Sequence, residues 1–520
     1  MKNLAISEKT NDDTLNVILD TLKNNKQALV FVNAKRSAEK VAEDVSRFLK
    51  KNQTPKNQEL SKEILTALSR PTKQCEKLSE HIQYQVAFHH AGLTSKQKEL
   101  VEDNFRNGNI KIICCTPTLA AGVDLPAFRT IIRDVKRFSN RGYNYIPVLE
   151  YLQMAGRAGR PKYDTEGESI IITSTENERD DVTEKYVDGV PEDITSKLAV
   201  EPVLRTYVLS LIASNFVNSR KQLVDFFSKT FWAFHFEDLS KLEKIIDKMI
   251  HLLKEFEFIE TNSKKSDFVS ADEVEDSKIT ATELGKRVSQ LYIDPLTAHK
   301  FIEVIKNIKS AKPFGILQMV VNTLEMRPLL NVKSREYENY TSLIVEKEEE
   351  IISEKPDEFE EEYDDFLNSI KTTAFFAEWM EEKDDEYLLE TFDVRPGETR
   401  AKLETADWLI YSCYELSKII GNRELSKEIL KTRARLRYGA KEELLPLLQL
   451  KEIGRIRARK MFSNGIKDLG DVKKVDLMKL KQLIGDNVSK YVKEQVGEKV
   501  EEVKETKRKG QMSIKKYSED

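Results

Sequence analysis

Short uninterrupted apolar runs alternate with helical periodicity through the first third of this chain. Ala28 to Val32 is apolar throughout, as a strand buried on both faces of a parallel sheet requires. It ends in Asn33-Ala34-Lys35-Arg36-Ser37, after which Ala38, Val41, Ala42 and Val45 recur at helical spacing. Gln85 to His90, Lys111 to Cys115 and Ser169 to Ile172 repeat the strand pattern. Strands alternating with helices predict an α/β domain built on a doubly wound parallel sheet. Ligands of such sheets sit beyond the carboxyl ends of the strands. Arg129 to Val135 reads as a further strand, Ser139 to Gly142 as a turn and Tyr143 to Pro147 as its returning arm. Glu176 to Asp193 is polar and reads as a connector. Beyond it, Ile194 to Leu198 and Leu204 to Leu209 open amphipathic helices, and Phe256 to Glu260 with Lys278 to Thr282 bracket a polar loop. Helices followed by such a two-stranded wing predict a winged helix. Leu291 to Ile420 reads as helical throughout.

At 520 residues the chain is far above single-core size, and roughly three to five domains are expected. Charged residues make up 33% and hydrophobic ones 40%, an ordinary globular composition. No apolar run approaches the roughly 20 residues of a membrane span, and the start, Met1-Lys2-Asn3-Leu4, lacks a signal-peptide core. Cys75, Cys114, Cys115 and Cys413 form neither a disulfide framework nor a zinc spacing. These features point to a reducing cytoplasm, with no membrane partner and no structural metal. The formal charge of only -4 means that nucleic acid would have to meet local basic surfaces. Glu346 to Asp365 is strongly acidic and unsuited to phosphates.

Chemistry concentrates in the loops that follow the strands. Asn33, His90-Ala91-Gly92 and Thr116 to Pro126 all fall at carboxyl ends. Each has a plain structural reading: Thr116 and Thr118 as helix caps, Asp124 before Leu-Pro as a turn residue, His89 and His90 as core histidines. Gln153-Met154-Ala155-Gly156-Arg157-Ala158-Gly159-Arg160-Pro161 is more pointed. It sets two guanidinium forks three residues apart, and such forks hold phosphate oxygens bidentately. Gly156 and its small neighbours allow close approach of backbone to ligand. That is the make-up of a clamp on a transferring phosphoryl group.

Taken in order, these segments resemble motifs IV, V and VI of superfamily 2 helicases, which the second RecA-like domain carries. His-His-Ala-Gly-Leu, Ala-Ala-Gly-Val-Asp-Leu-Pro and Gln-Met-Ala-Gly-Arg-Ala-Gly-Arg-Pro are similar to the wording of the Ski-like branch. The chain resembles most the archaeal Hjm-type DNA repair helicases, related to the helicase part of DNA polymerase theta. The resemblance implies a RecA-like domain over residues 1–180, a winged helix over 195–290 and a helical ratchet domain over 291–422. A helix-hairpin-helix DNA-binding domain over 423–500 and a tail over 501–520 would follow. It implies that Gln153, Arg157 and Arg160 face ATP, with Gly122, Asp124 and Gly156 lining the nucleotide and Thr116 touching the strand backbone. Family members carry Asn where this chain has Asp124. The hairpin would be a duplex-opening wedge with Phe138 and Tyr143 at its working end, since aromatic rings replace lost base stacking.

By the same resemblance, Pro396-Gly397-Glu398-Thr399-Arg400 opens a ratchet helix on which Arg400, Glu404, Trp408 and Tyr411 share a drifting face. Trp408 would stack on a base without sequence preference; from its spacing alone it could equally be core. Leu450 to Arg459 resembles a helix-hairpin-helix, whose turn offers backbone N–H groups to phosphate, flanked by Arg455 and Arg457. Glu452 stands where such a hairpin usually has its first glycine. Gln511 to Tyr517 resembles a sliding-clamp-binding motif.

A helicase needs a Gly-x-x-x-x-Gly-Lys-Ser/Thr loop and an acidic magnesium motif. Neither is found, because Gly285-Lys286 precedes Arg287 without the spaced glycine. The expectation is therefore the C-terminal portion of an ATP-dependent 3′-5′ DNA helicase acting at replication forks in DNA repair. ATP with Mg2+ would be bound mainly by a first motor domain supplied from elsewhere. The isolated chain would be inactive, and it would meet single-stranded and forked DNA at the nucleoid. An RNA-acting Ski-like helicase and a non-catalytic DNA-binding remnant are the alternatives.

Overall fold

The structure is a computed structural model that describes residues 6–51, 56–68, 70–139, 142–160, 164–198, 200–236, 239–261 and 278–498. The clamp-type segment Gln511 to Tyr517 lies outside them. Two compact units result: Met1–Ala377 with Lys383–Leu430, and Glu378–Glu382 with Lys431–Asp520.

In the first unit, β1 (Ala28–Phe31), β2 (Val86–His89), β3 (Ile112–Cys115), β4 (Arg129–Ile132) and β7 (Glu168–Ile171) make one parallel sheet in the order β2-β3-β1-β4-β7. Every residue of β1 to β4 is buried, which explains the unbroken apolar runs of β1 and β3. Helices such as Lys35–Lys50 and Ser95–Arg106 cover the sheet with Val41, Val45, Val101 and Phe105. This is the doubly wound α/β arrangement.

The wedge segment differs from its sequence reading. Arg129–Ile132 is the sheet strand β4, and the hairpin is made by β5 (Lys136–Ser139) and β6 (Gly142–Tyr145), with Phe138 opposite Tyr143. The reason lies at Arg129. Its guanidinium is buried but saturated by Asp20, Glu168, Thr21 and the Val17 carbonyl, so a charged residue can open a central strand.

The polar connector is likewise structured. A helix over Glu176–Val182 continues into a π-helical turn over Thr183–Val187. That turn buries Tyr186, whose hydroxyl donates to the Ile146 carbonyl at 2.8 Å. Farther on, β8 (Ile259–Thr261) and β9 (Ile279–Ala281) pair antiparallel behind helices Glu201–Ala213, Arg220–Ser228 and Leu239–Glu255. The remainder of the unit is helical with irregular connections and includes the long helix Pro396–Ile420. The second unit packs Leu444, Leu447, Ile453, Met461, Leu480 and Val492 into its own small core. No described helix is long and apolar enough to cross a membrane.

Candidate nucleotide and nucleic-acid interface

The helix Val148–Ala155 runs back along the sheet and ends at Gly156. The turn after it is pinned to the strand that leads into β4. Ala127 N–H donates to Arg157 O at 3.0 Å, and Gly159 N–H donates to Ala127 O at 2.6 Å. Gly159 sits at φ 91°, a left-handed conformation in which a side chain would be strained. Thus fixed, Arg157 reaches the carboxyl end of helix Thr118–Gly122. Its Nε donates to Ala120 O at 3.0 Å, and its Nη1 lies 3.5 Å from Asp124 Oδ1. Asp124 is 95% exposed. Arg157, Gly122 and Asp124 are therefore neighbours on an open face.

Arg160 turns the other way. Its Nε donates to Asp164 Oδ2 and its Nη1 to Gln27 Oε1, both at 2.6 Å, beside the amino end of β1. Lys26 adds a further contact to Asp164 at 2.7 Å. Hydrogen bonding from Arg160 above all, then from Lys26, holds the Asp164 carboxyl down at about 2 against its burial. The two forks thus do not converge on one point: Arg157 meets an exposed carboxylate, Arg160 a carboxylate only 1% exposed.

At the carboxyl ends of the strands lies a groove of about 770 Å³, lined among others by Asn33, Lys35, Thr116, Arg137 and Gln153. Thr116 and Thr118 share a hydroxyl hydrogen bond of 2.9 Å. Asn33 donates through its side chain to Lys136 O at 3.2 Å, tying β1 to the foot of the hairpin. Tyr143 is 72% exposed on that hairpin. The side chain of Phe138 is outside the described set. Sequence reasoning missed Lys35, Arg36 and Arg137 as lining; the available signal was a basic pair directly after a buried strand.

On helix Pro396–Ile420, Arg400 pairs with Asp385 at 2.9 Å, and Trp408 is half-buried with its indole N–H donating to Leu291 O at 2.9 Å. Tyr411 accepts from Arg287, which also binds Glu415 at 2.6 Å. The helix face singled out by spacing is thus partly spent on packing, with one ring edge tied and the rest half open.

In the second unit, Gly454 caps the helix Arg455–Ser463 without a side-chain hydrogen bond. Arg455 lies 4.2 Å over the Trp379 ring, and Arg457 donates to Glu452 O at 2.7 Å. Arg459 is held by Glu382 and Glu443, whose hydrogen bonds push its pKa well up against burial. Glu452 occupies the left-handed region at φ 67°. The hairpin therefore keeps the backbone shape of a glycine turn although a glutamate fills it.

Models of known families match three segments of this chain. A family described as the helicase conserved C-terminal domain matches residues 56–162, a helix-turn-helix domain matches 167–260, and domain 4 of archaeal helicases matches 314–439. The protein named ATP-dependent DNA helicase Hel308 of Methanocella arvoryzae is 37% identical over 503 residues, covering 94% of this chain and 65% of that protein. Its namesake from Pyrococcus horikoshii is 38% identical over 509 residues, covering 95% and 67%, respectively. That of Methanococcus vannielii is 37% identical over 528 residues, covering 95% and 68%. The chain thus spans about two thirds of the length of these relatives, over their C-terminal part.

Proposed function

The chain belongs to the Hel308 family of archaeal helicases, and from that membership we propose that it forms the carboxyl-side part of an ATP-driven DNA motor. In this reading it moves 3′ to 5′ along single strands and remodels forked DNA in repair. One observation carries the proposal: Arg157 stands beside the exposed Gly122 and Asp124, its Nε and Nη2 donating to the Ala120 carbonyl and its Nη1 facing an exposed carboxylate. Its pairing with that exposed carboxylate can be given up to a phosphate at little cost, because exposed ion pairs contribute only about 0–1 kcal/mol.

The residues present fit the terminal phosphate of an ATP and not its metal. Among the described residues no group of three His, Cys, Asp or Glu converges on a cation site, so a partner domain with a phosphate loop would hold ATP and Mg2+. Bound there, ATP supplies the phosphoryl group whose departure drives domain movement. Arg157 would stabilise charge on the terminal phosphate. Arg160 would reach it only after leaving Asp164. Thr116, Asn33 and the lysines and arginines of the groove would hold the strand backbone, and Tyr143 and Trp408 would stack on bases.

The experiment mixes the purified chain with the amino-terminal third of the Pyrococcus horikoshii relative and measures phosphate release with and without single-stranded DNA. DNA-stimulated turnover in the mixture, with almost none from the chain alone, is the expected result. Turnover by the chain alone, or equal competition from RNA and DNA strands, would count against this reading.

A further inference from the structure

The helix that carries Trp408 begins on the sheet domain itself. Gly397 N–H donates to the Gly92 carbonyl at 3.0 Å. A Cβ on Gly397 would lie 2.2 Å from Leu93 O and 2.5 Å from Ala91 O, and one on Gly92 would lie 2.3 Å from Arg395 Cδ. Backbone thus rests on backbone with no room for a methyl group.

Charged groups surround this seat. Arg395 Nε donates to Glu39 Oε1 at 2.9 Å, and His90 Nε2 lies 3.2 Å from the same oxygen. Gly92 N–H donates to His90 Nδ1 at 3.1 Å, which leaves the ring proton on Nε2, facing Glu39. His90 is wholly buried and stacks on Phe88 with centroids 5.3 Å apart. Lys35 pairs with Glu398, and Arg36 with Asp393 at 2.6 Å. Lys35 to Glu39 follow Asn33 after one residue, His90 to Leu93 follow β2, and Asp393 to Glu398 lead into the Trp408 helix.

Both groove loops and the helix therefore meet at one joint. Trp408 is eleven residues beyond Gly397 on an unbroken helix, about 16 Å at 1.5 Å per residue. We propose that the Glu39–His90–Arg395 cluster and the Gly92–Gly397 seat are a positioning joint that makes the loop after β2 and the Trp408 helix move as one body. Movement of the sheet domain on nucleotide turnover would then be delivered to the strand held at Trp408. Glu39 and Arg395 act through the helix and touch no reacting group. The inference rests on the DNA-motor reading above.

The test is hydrogen–deuterium exchange of the full chain with and without a single-stranded oligothymidylate. In the unaltered chain, DNA should slow amide exchange both in the Trp408 helix and at residues 90–93, the latter by about tenfold. Arg395→Met should confine the slowing to the helix while DNA affinity stays within about threefold. Arg395→Lys, which keeps a donor to Glu39, should restore part of the spread. Glu39→Gln keeps size and removes charge, and it should also confine the slowing; it serves if Arg395→Met does not fold. Slowing that reaches residues 90–93 equally in the folded variants, or that never reaches them in the unaltered chain, overturns the joint and leaves the motor reading intact. Absence of any DNA binding overturns both.

Discussion

Two arginine-rich stretches, Arg157 to Arg160 in the sheet domain and Arg455 to Arg459 in the second unit, look alike in sequence and are used differently residue by residue. Each has one fork sunk into carboxylates and one held mainly by a backbone carbonyl. Arg160 is anchored on Asp164, only 1% exposed, while Arg157 shares its contacts between Ala120 O and an Asp124 that is 95% exposed. Arg459 is anchored on Glu382 and Glu443, while Arg457 donates to Glu452 O. Density of positive charge therefore does not tell which fork is free. The burial of the nearest carboxylate does, because leaving a buried carboxylate unpaired is expensive and leaving an exposed one is not.

The strongest way to break this comparison is to remove the loosely held fork of the sheet domain. Arg157→Ala should lower ATP turnover of the reconstituted two-part motor by about 10³-fold, the usual scale for a phosphate-facing arginine, without lowering the melting temperature of the chain. Arg157→Lys should recover little, since a point charge does not replace a planar fork. Arg160→Ala should instead lower the melting temperature. A turnover loss at Arg160 with unchanged stability would erase the distinction between the two.

The Asp164 anchor also predicts a pH dependence. Its pKa is depressed from 3.8 to about 2, chiefly by the Arg160 hydrogen bond. A depressed carboxylate adds stability that is fully present above its ordinary value and is lost as pH falls through the lower one. Melting curves recorded through that window should show an acid-side fall in the unaltered chain that is shallower in Asp164→Asn. An identical fall in both would place the acid sensitivity elsewhere. In the second unit, Arg459→Ala leaves Glu382, among the described residues, with the Lys441 N–H, and should destabilise by about 1–2 kcal/mol, discounted for partial exposure.

Much of the sheet was legible because burial on both faces writes an unbroken apolar run, as in Ala28 to Val32. The strand at Arg129 was legible as a strand but went to the hairpin, since the partners that neutralise Arg129 at Asp20 and Glu168 are distant in sequence. The same holds for the site. Gln153 to Arg160 stood out through local spacing, yet the division between Arg157 and Arg160 depends on Gln27, 133 residues from Arg160. The seat at Gly397 depends on loops that no local pattern connects. The left-handed turn at Glu452 was legible only through the resemblance, which puts a glycine where this glutamate stands. Glu452→Gly should therefore stabilise the second unit by about 1 kcal/mol, the cost of a side chain in that conformation, read as a raised melting temperature.

The smallest expected effect is the sharpest test of the comparison in the second unit. Arg457 is held by a single carbonyl contact at 2.7 Å, so its charge is available to a phosphate once that bond is given up. Each phosphate neutralised on duplex DNA releases condensed counterion and adds about 0.9 to the slope of log affinity against log salt. Arg457→Ala should lower that slope by about one unit across unrelated sequences, with the melting temperature unchanged. Arg459→Ala, measured at a temperature where it remains folded, should leave the slope nearly as it was, because its charge is already spent on Glu382 and Glu443. Should both variants shift the slope alike, the pairing around Arg459 yields to DNA, and buried partners would no longer distinguish structural from binding arginines in this unit.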